Sequence, residues 1–285
     1  MRKPLVLLLS LSALLFSGHV AGVESDLLLS LKADVAPPVQ SSQNTYSFEG
    51  IVKLSNCSGS LIRFVGQAVT DNAVVLTNGH CVSRSFIKPG AYIINKRDRR
   101  RMRVATEDKR FLRIRAQRIL YATMTGTDAA FFELDETFEE LERRGVRAFE
   151  LSMGIPSITT KIEVVSGYWE RGYSCEIESI IHELREEDWR FRNSIRYSRP
   201  GCETIGGTSG SPIIEQGRRV VVGVNNSGNE SGRKCTRNNP CEVDQDENIT
   251  VIKGASYGQQ TFWIYSCLND AFEVDLSISG CQLTK

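Results

Sequence analysis

The sequence predicts an all-β protein of two antiparallel units, paired barrels or paired sandwiches. Three observations carry this. Short runs rich in Val, Ile, Leu and aromatic residues recur from residue 48 to 135 and again from 161 to 265. Between these two sets lies the one stretch that reads as a helix, over 137–144. The length, 285 residues, suits two small domains or one large β-rich one with a real core.

The opening Met1-Arg2-Lys3 is basic, the next dozen residues are apolar, and small residues follow at Val20-Ala21-Gly22. That pattern predicts a signal peptide over 1–22, removed on export. Its apolar run is shorter than a bilayer-spanning helix needs. Residues 23–45, with Pro37-Pro38 and a polar run after them, read equally as a pro-segment or as an N-terminal arm on the body.

Strands are expected at 49–54 and 59–65, then at 73–77, where the run is continuously apolar as in a buried strand. Further strands are expected at 91–94, at 111–120, where arginines alternate with apolar residues, and at 129–134. Thr137 and Glu140 form a capping box, and Gly145 can end the helix, so the linker between units falls near 136–150. The second set continues with 161–168, a hairpin of 177–184 with 189–197, then 220–224 and a last strand near 261–265.

Eight cysteines in an exported chain favour disulfides, and no C-x-x-C pair offers a zinc site. The net charge of +1 gives no global attraction to nucleic acid. Neither a metal nor a cofactor is expected.

One loop has the make-up of a nucleophile site. Gly206-Gly207-Thr208-Ser209-Gly210-Ser211-Pro212 can turn tightly, present a hydroxyl and leave backbone N–H groups bare beside it. A base and a carboxylate must come from elsewhere. Of the three histidines, His19 leaves with the signal peptide and His182 sits among glutamates on a wet strand face. His80 ends the buried run 73–77 next to Cys81. Among the acids, Asp128 stands where a small polar turn meets the apolar run 129–134, so it is buried enough to need a partner. Asp71, Asp98, Asp108 and Asp135 lie in polar surroundings.

Cys57-Ser58-Gly59-Ser60, Thr77-Asn78-Gly79-His80-Cys81, Thr127-Asp128-Ala129-Ala130 and Gly207-Thr208-Ser209-Gly210-Ser211-Pro212 together resemble the trypsin-like (chymotrypsin-fold) serine proteases, secreted bacterial members above all. The order His, Asp, Ser is that family's order. The resemblance implies two packed antiparallel Greek-key β-barrels, 46–140 and 141–285, with the active site in the cleft between them. It implies Ser209 as nucleophile, His80 as general base and Asp128 as its orienting carboxylate. Backbone N–H groups of Gly207 and Ser209 would form the oxyanion hole, worth roughly 3–4 kcal/mol of barrier per donor. Glu203 would stand at the base of the specificity pocket, with Thr204 and Asn225 on its walls. Asn226 and Gly228 would present a backbone edge to substrate. Glu203 points to basic side chains and Thr204 with Asn225 to acidic ones, which leaves the preference open.

Two departures from the family stand out. Thr208 occupies the place of the aspartate that binds a freed N-terminus, and Ile205 that of a cysteine. The family pattern pairs Cys57 with Cys81; order and proximity then suggest Cys235–Cys241, Cys267–Cys281 and Cys175–Cys202. The implied function is an exported, monomeric serine endopeptidase, extracellular or periplasmic. It would act on proteins or peptides, with no nucleic-acid or membrane partner. The alternative is a catalytically silent homologue that binds polyanions or proteins through the basic stretch 96–118, otherwise a solvated face; an esterase with the same triad is a third reading. Asp244 to Asn248 resembles a calcium loop without its glycine and glutamate, and Asn56, Asn225, Asn229 and Asn248 head glycosylation triplets.

Overall fold

The computed structural model describes residues 46–285 apart from Arg84. The expected signal peptide and the segment 23–45 lie outside the described residues. Six strands close a first ring: β1 (Ile51–Lys53), β2 (Ser58–Arg63), β3 (Asn72–Thr77), β5 (Arg101–Ala105), β6 (Phe111–Thr123) and β7 (Ala129–Thr137). Their order is β1-β5-β6-β7-β3-β2, and β2 returns to pair with β1. The strand β4 (Tyr92–Arg97) pairs with the second half of β6. A second ring has the order β13-β12-β9-β10-β11-β16, closed by β16 on β13. Its members are β9 (Lys161–Ser166), β10 (Arg171–Glu186), β11 (Trp189–Tyr197), β12 (Pro212–Glu215), β13 (Val220–Gly228) and β16 (Ser256–Gln259). All pairings within both rings are antiparallel. Between the rings, β8 (Phe149–Leu151) pairs in parallel with β2 on one side and β13 on the other. Two short strands, β14 (Cys241–Val243) and β15 (Ile249–Thr250), extend the sheet from β10. The all-β, two-barrel class is therefore what the chain forms.

Period-two burial explains the rings. In β5, Met102 and Val104 are buried while Arg101 and Arg103 are exposed. In β6, Ile114 and Ala116 are buried and Arg113 and Arg115 exposed. The second ring encloses Ile162, Val164, Ile177, Ile195, Ile213 and Tyr197. Between β7 and β8, α1 (Phe138–Glu142) starts on the expected capping box. Thr137 Oγ1 accepts from the Glu140 N–H (3.2 Å), and Glu140 Oε2 accepts from the Thr137 N–H (2.9 Å).

Several expected elements differ. The residues read as a last strand, 261–265, form a 3₁₀ helix over Phe262–Cys267, and β16 lies just before it. The aromatic run looks like a strand locally, but the Cys267–Cys281 disulfide and the Tyr265 hydroxyl, which donates to the Leu151 carbonyl (2.7 Å), hold it as a wound segment. The strand expected at 177–184 begins at Arg171, because a bulge near Ile177 lets one long strand serve β9 first and β11 afterwards. β5 was not among the expected strands, because Arg101 and Arg103 fill its exposed positions and hide the alternation with Met102 and Val104. The segment 225–249, between the expected strands, contains the end of β13 and all of β14.

Glu49 ties the start of the first barrel to the segment after α1 and to the turn before β13. It is buried, and its carboxylate takes the Arg147 backbone N–H (3.0 Å) and guanidinium (2.8 Å) and the Arg219 guanidinium (3.2 Å). Burial alone would raise its pKa, but the Arg147 bonds and the Arg219 charge outweigh this and hold it below the usual value. Both arginines keep solvent contact, so Glu49→Ala should cost about 2 kcal/mol in denaturant unfolding. Because the folded pKa is depressed, this contribution is present above the ordinary carboxylate pKa and fades as pH falls through the folded value. A variant matching the wild type at pH 7 would refute it.

Candidate active site

Strand β3 ends at Thr77, and a single 3₁₀ turn over Gly79–Cys81 sets His80 at its tip. The turn packs against β6 so closely that a Cβ at residue 79 would run into the Thr123 carbonyl, so glycine is required there. The Asn78 amide donates to the Asp128 carbonyl (2.8 Å), which ties this turn to the start of β7. Asp128, 1% exposed, then uses both carboxylate oxygens on His80. One accepts the His80 backbone N–H (3.0 Å) and the other meets His80 Nδ1 (2.6 Å). The ring is thereby held with Nε2 free. Burial alone would lower the His80 pKa. The charge and hydrogen bond of Asp128, with the charge of Glu186, raise it above the ordinary value.

The Cys57–Cys81 disulfide lies beside this pair. Its joined sulfurs are not thiolates, so the cluster Cys57, His80, Cys81 is no metal centre. Disulfides Cys175–Cys202, Cys235–Cys241 and Cys267–Cys281 complete the set expected. His182 is exposed on β10, as its neighbours suggested.

Ser209 sits in the turn before β12. Its carbonyl accepts the Ser58 N–H of the first barrel (2.8 Å), so the loop is anchored across the cleft. The Ser209 hydroxyl donates to the Asn226 carbonyl (3.3 Å). Among the described residues no hydrogen bond joins it to His80, although both line the same cleft. Thr208 is buried: its hydroxyl donates to the Ile205 carbonyl (2.6 Å) and accepts from the Asn225 amide (3.1 Å). The Thr208 side chain is thus closed within its own loop.

The peptide between Gly206 and Gly207 has a fixed plane. Thr208 N–H returns to the Ile205 carbonyl (3.0 Å), and Gly207 has φ +88°, the conformation of a type II turn. The Trp169 indole N–H donates to the Gly206 carbonyl (2.9 Å). In a trans peptide, C=O and N–H point to opposite sides. Trp169 therefore turns the Gly207 N–H away from itself. Among the described residues, neither that N–H nor the Ser209 N–H meets an acceptor. Trp169 was not foreseen, because nothing local connects it to a loop 37 residues on.

The cleft also holds residues that sequence reasoning missed. Phe86 meets His80 edge-on (5.7 Å between ring centres) and Trp189 likewise (5.6 Å). Trp189 is pinned by its indole N–H to the Ile87 carbonyl (2.9 Å). Glu186, at the end of β10, lines the cleft and accepts the Asn238 N–H (2.7 Å). Desolvation raises its pKa.

The specificity residues divide. Thr204, Asn225, Asn226 and Gly228 line the cleft. Glu203 does not; it is exposed, and its carboxylate turns back to the Gly201 N–H (2.9 Å). The backbone here carries its side chain outward, which removes the basis for a basic-residue pocket at that position. The Asn225 amide is also occupied, donating to the Thr208 carbonyl (3.1 Å) and accepting from the Tyr197 hydroxyl (3.1 Å). It braces the serine loop from behind. Asn225 and Asn229, both 1% exposed, are too buried to accept a glycan. Asp244 is taken by Asp246 and Asn248 N–H groups (2.9 Å each), an Asx-type turn in place of a calcium loop.

Two closed antiparallel barrels, with a histidine–aspartate pair and a serine on one cleft, define the trypsin-like peptidase class. The chain belongs to the trypsin-like peptidase domain family, whose family model matches residues 57–224. Among solved structures it is similar to the MamO protease domain from Magnetospirillum magneticum in its apo form, with 14% identity over 79% of this chain and 98% of that one, TM-score 0.47. It is similar to neuropsin, a serine protease expressed in the limbic system of mouse brain, with 13% identity over 79% and 96%, TM-score 0.44. A Nocardiopsis protease (NAPase) is similar at 15% identity over 75% and 91%, TM-score 0.41. No curated protein matches the chain. The family assignment rests on the matched model, and the fold on the strand pairings themselves.

Proposed function

We propose that the protein is an exported serine endopeptidase that hydrolyses peptide bonds through an acyl-enzyme on Ser209. The observation that carries this is the Asp128–His80 bond at 2.6 Å, which leaves His80 Nε2 free in the cleft that Ser209 also lines. In this reading the first barrel (46–140) supplies base and carboxylate and the second (141–285) the nucleophile. A substrate strand lies along Asn226 to Gly228 and gives its own N–H to the Asn226 carbonyl. That frees the Ser209 hydroxyl for His80, in keeping with catalytic hydrogen bonds that tighten only on binding. His80 takes the hydroxyl proton as Ser209 attacks the carbonyl carbon, and Asp128 stabilises the imidazolium. The N–H groups of Gly207 and Ser209 hold the oxyanion. His80 then protonates the leaving amine, and water attacks the ester by the reverse route. Thr204 would touch the side chain before the cut; Glu203 has no part in it. Four disulfides support an oxidising compartment, secreted or periplasmic. Among the described residues no helix is long and apolar enough to cross a membrane.

A biotinylated fluorophosphonate should label the wild-type protein on the peptide that carries Ser209, and a mixed peptide library should be cut. No label at Ser209 and no cleaved peptide would overturn the reading. Cleavage of esters alone would leave an esterase with the same three residues.

The pH profile gives a second check. Only neutral His80 can accept the proton, so activity falls on the acid side as His80 is protonated, with a midpoint raised from the ordinary histidine value by Asp128 and Glu186. Glu186→Gln removes one of the charges that raise this pKa. The acid limb of kcat/KM should therefore move to lower pH; an unmoved or upward limb would exclude the coupling.

A further inference from the structure

The outward face of the first barrel carries cations in register. Arg101 stands directly opposite Arg115, and Arg103 opposite Arg113. On the other side of β5, Lys53 stands opposite Arg103. These form a row Lys53–Arg103–Arg113 across three strands, with a second row Arg101–Arg115 beside it. Neighbouring strands are about 4.8 Å apart and alternate residues about 7 Å, so five cations share one small patch. Like charges directly opposite one another destabilise a sheet. Edge protection does not explain them, because β5 and β6 are both paired on each side within the ring.

Counter-ions satisfy only part of the patch. Lys53 pairs with Glu170 (2.7 Å) and Arg115 with Asp135. Arg101, Arg103 and Arg113 are exposed and form no ion pair among the described residues. Arg101, Arg103, Arg113 and Arg115 line one groove together with Lys53 and Glu136. Arg115 continues into a second, lined by Arg97, Arg99 and Arg118 with Asp135. The net charge of the whole chain is only +1, so this concentration is local.

We propose that this face of β1, β5 and β6 binds a sulfated polysaccharide, seated on Arg101, Arg103, Arg113 and Arg115. Guanidinium forks match sulfate oxygens in pairs, and a row of them suits a polymer with regularly spaced anions. The face lacks what a nucleic acid would use. The ring of Phe111 is already covered by Lys53 and Arg103 (5.8 Å each), so no base can stack on it. The strands of this face are paired on both sides within the ring, so none projects as a free ribbon to enter a groove. A membrane would need exposed apolar side chains to insert, and Leu54, Met102 and Ile114, which also line the groove, are buried. The site is independent of turnover at Ser209 and stands whether or not the chain hydrolyses peptides.

The full-length mature protein is tested on immobilised heparin with a sodium chloride gradient, and by titration with free heparin at several salt concentrations. R103Q/R113Q is compared with R143Q/R218Q, which removes the same charge from two exposed arginines elsewhere. The wild type and R143Q/R218Q should elute together, well above physiological salt. R103Q/R113Q should elute earlier and bind roughly tenfold or more weakly, with the slope of log affinity against log salt reduced by about 2. Its Tm should equal or exceed that of the wild type, since a like-charge pair is gone; this separates lost binding from lost folding. Equal shifts in both double variants, or none in either, would overturn the proposal. So would stronger competition by duplex DNA than by heparin, or retention by phosphatidylserine vesicles with no heparin binding.

Discussion

Ser209→Ala is expected to abolish both peptide hydrolysis and fluorophosphonate labelling, and Asp128→Asn to keep the fold while lowering kcat by about 10⁴-fold. The second result is the more telling, because Asp128 is buried and its carboxylate meets only His80 among the described residues. Its two oxygens accept two separate bonds, one from the His80 backbone and one from the ring. An asparagine has a single acceptor oxygen. If that oxygen keeps the backbone N–H, the amide NH₂ faces Nδ1 and reverses the tautomer, so Nε2 carries a proton and cannot act as base. If it keeps the ring, the turn holding His80 loses its anchor. The first outcome costs rate with little loss of stability; the second adds about 1–3 kcal/mol to the cost of folding. Steady-state kcat with a denaturation curve on the same preparation distinguishes them. Activity within tenfold of the wild type would remove Asp128 from the mechanism.

The other large effect is expected at the peptide beside Trp169. Gly207→Ala should lower kcat by about 10²- to 10³-fold, the usual loss for one oxyanion donor. Alanine is strained at φ +88°, and its Cβ would come within 2.8 Å of the Trp169 indole nitrogen. Either the indole is displaced from the Gly206 carbonyl, or the peptide flips and turns that carbonyl toward the developing oxyanion. Trp169→Phe removes the indole donor and leaves glycine in place, so a smaller loss in the same direction, about 10-fold, is expected. In both variants the loss should fall on kcat with KM little changed, since the donor acts on charge present only in the transition state. A change confined to KM would make Trp169 a substrate contact instead.

Much of the site was legible because its chemistry is local. His80 follows a buried strand through a glycine that packs against the Thr123 carbonyl. Asp128 begins the next apolar run, and Ser209 lies in a glycine-rich turn. Each short segment determines its own backbone, and each carries a residue whose type has few other uses. The capping box at Thr137 was legible for the same reason. Glu203 was misplaced because spacing gives a position in the chain but not the direction of a side chain. Only the turn at Gly201, whose N–H the carboxylate takes, shows that it points outward. The last strand was misplaced because Thr261 to Tyr265 has strand composition, while the contacts that wind it come from Leu151 and Cys281.

By itself, then, the sequence determined the all-β class and the residue types of the candidate triad, because both follow from alternation and short-range turn chemistry. Tertiary structure alone decided that Trp169 holds the Gly206 carbonyl and that Glu186 faces His80. It also decided that arginines on β5 and β6, with Lys53 on β1, stand opposite one another. These depend on strand register and on which loops meet across the cleft. Register is set by how two whole barrels bury their apolar faces, and no single segment contains that information.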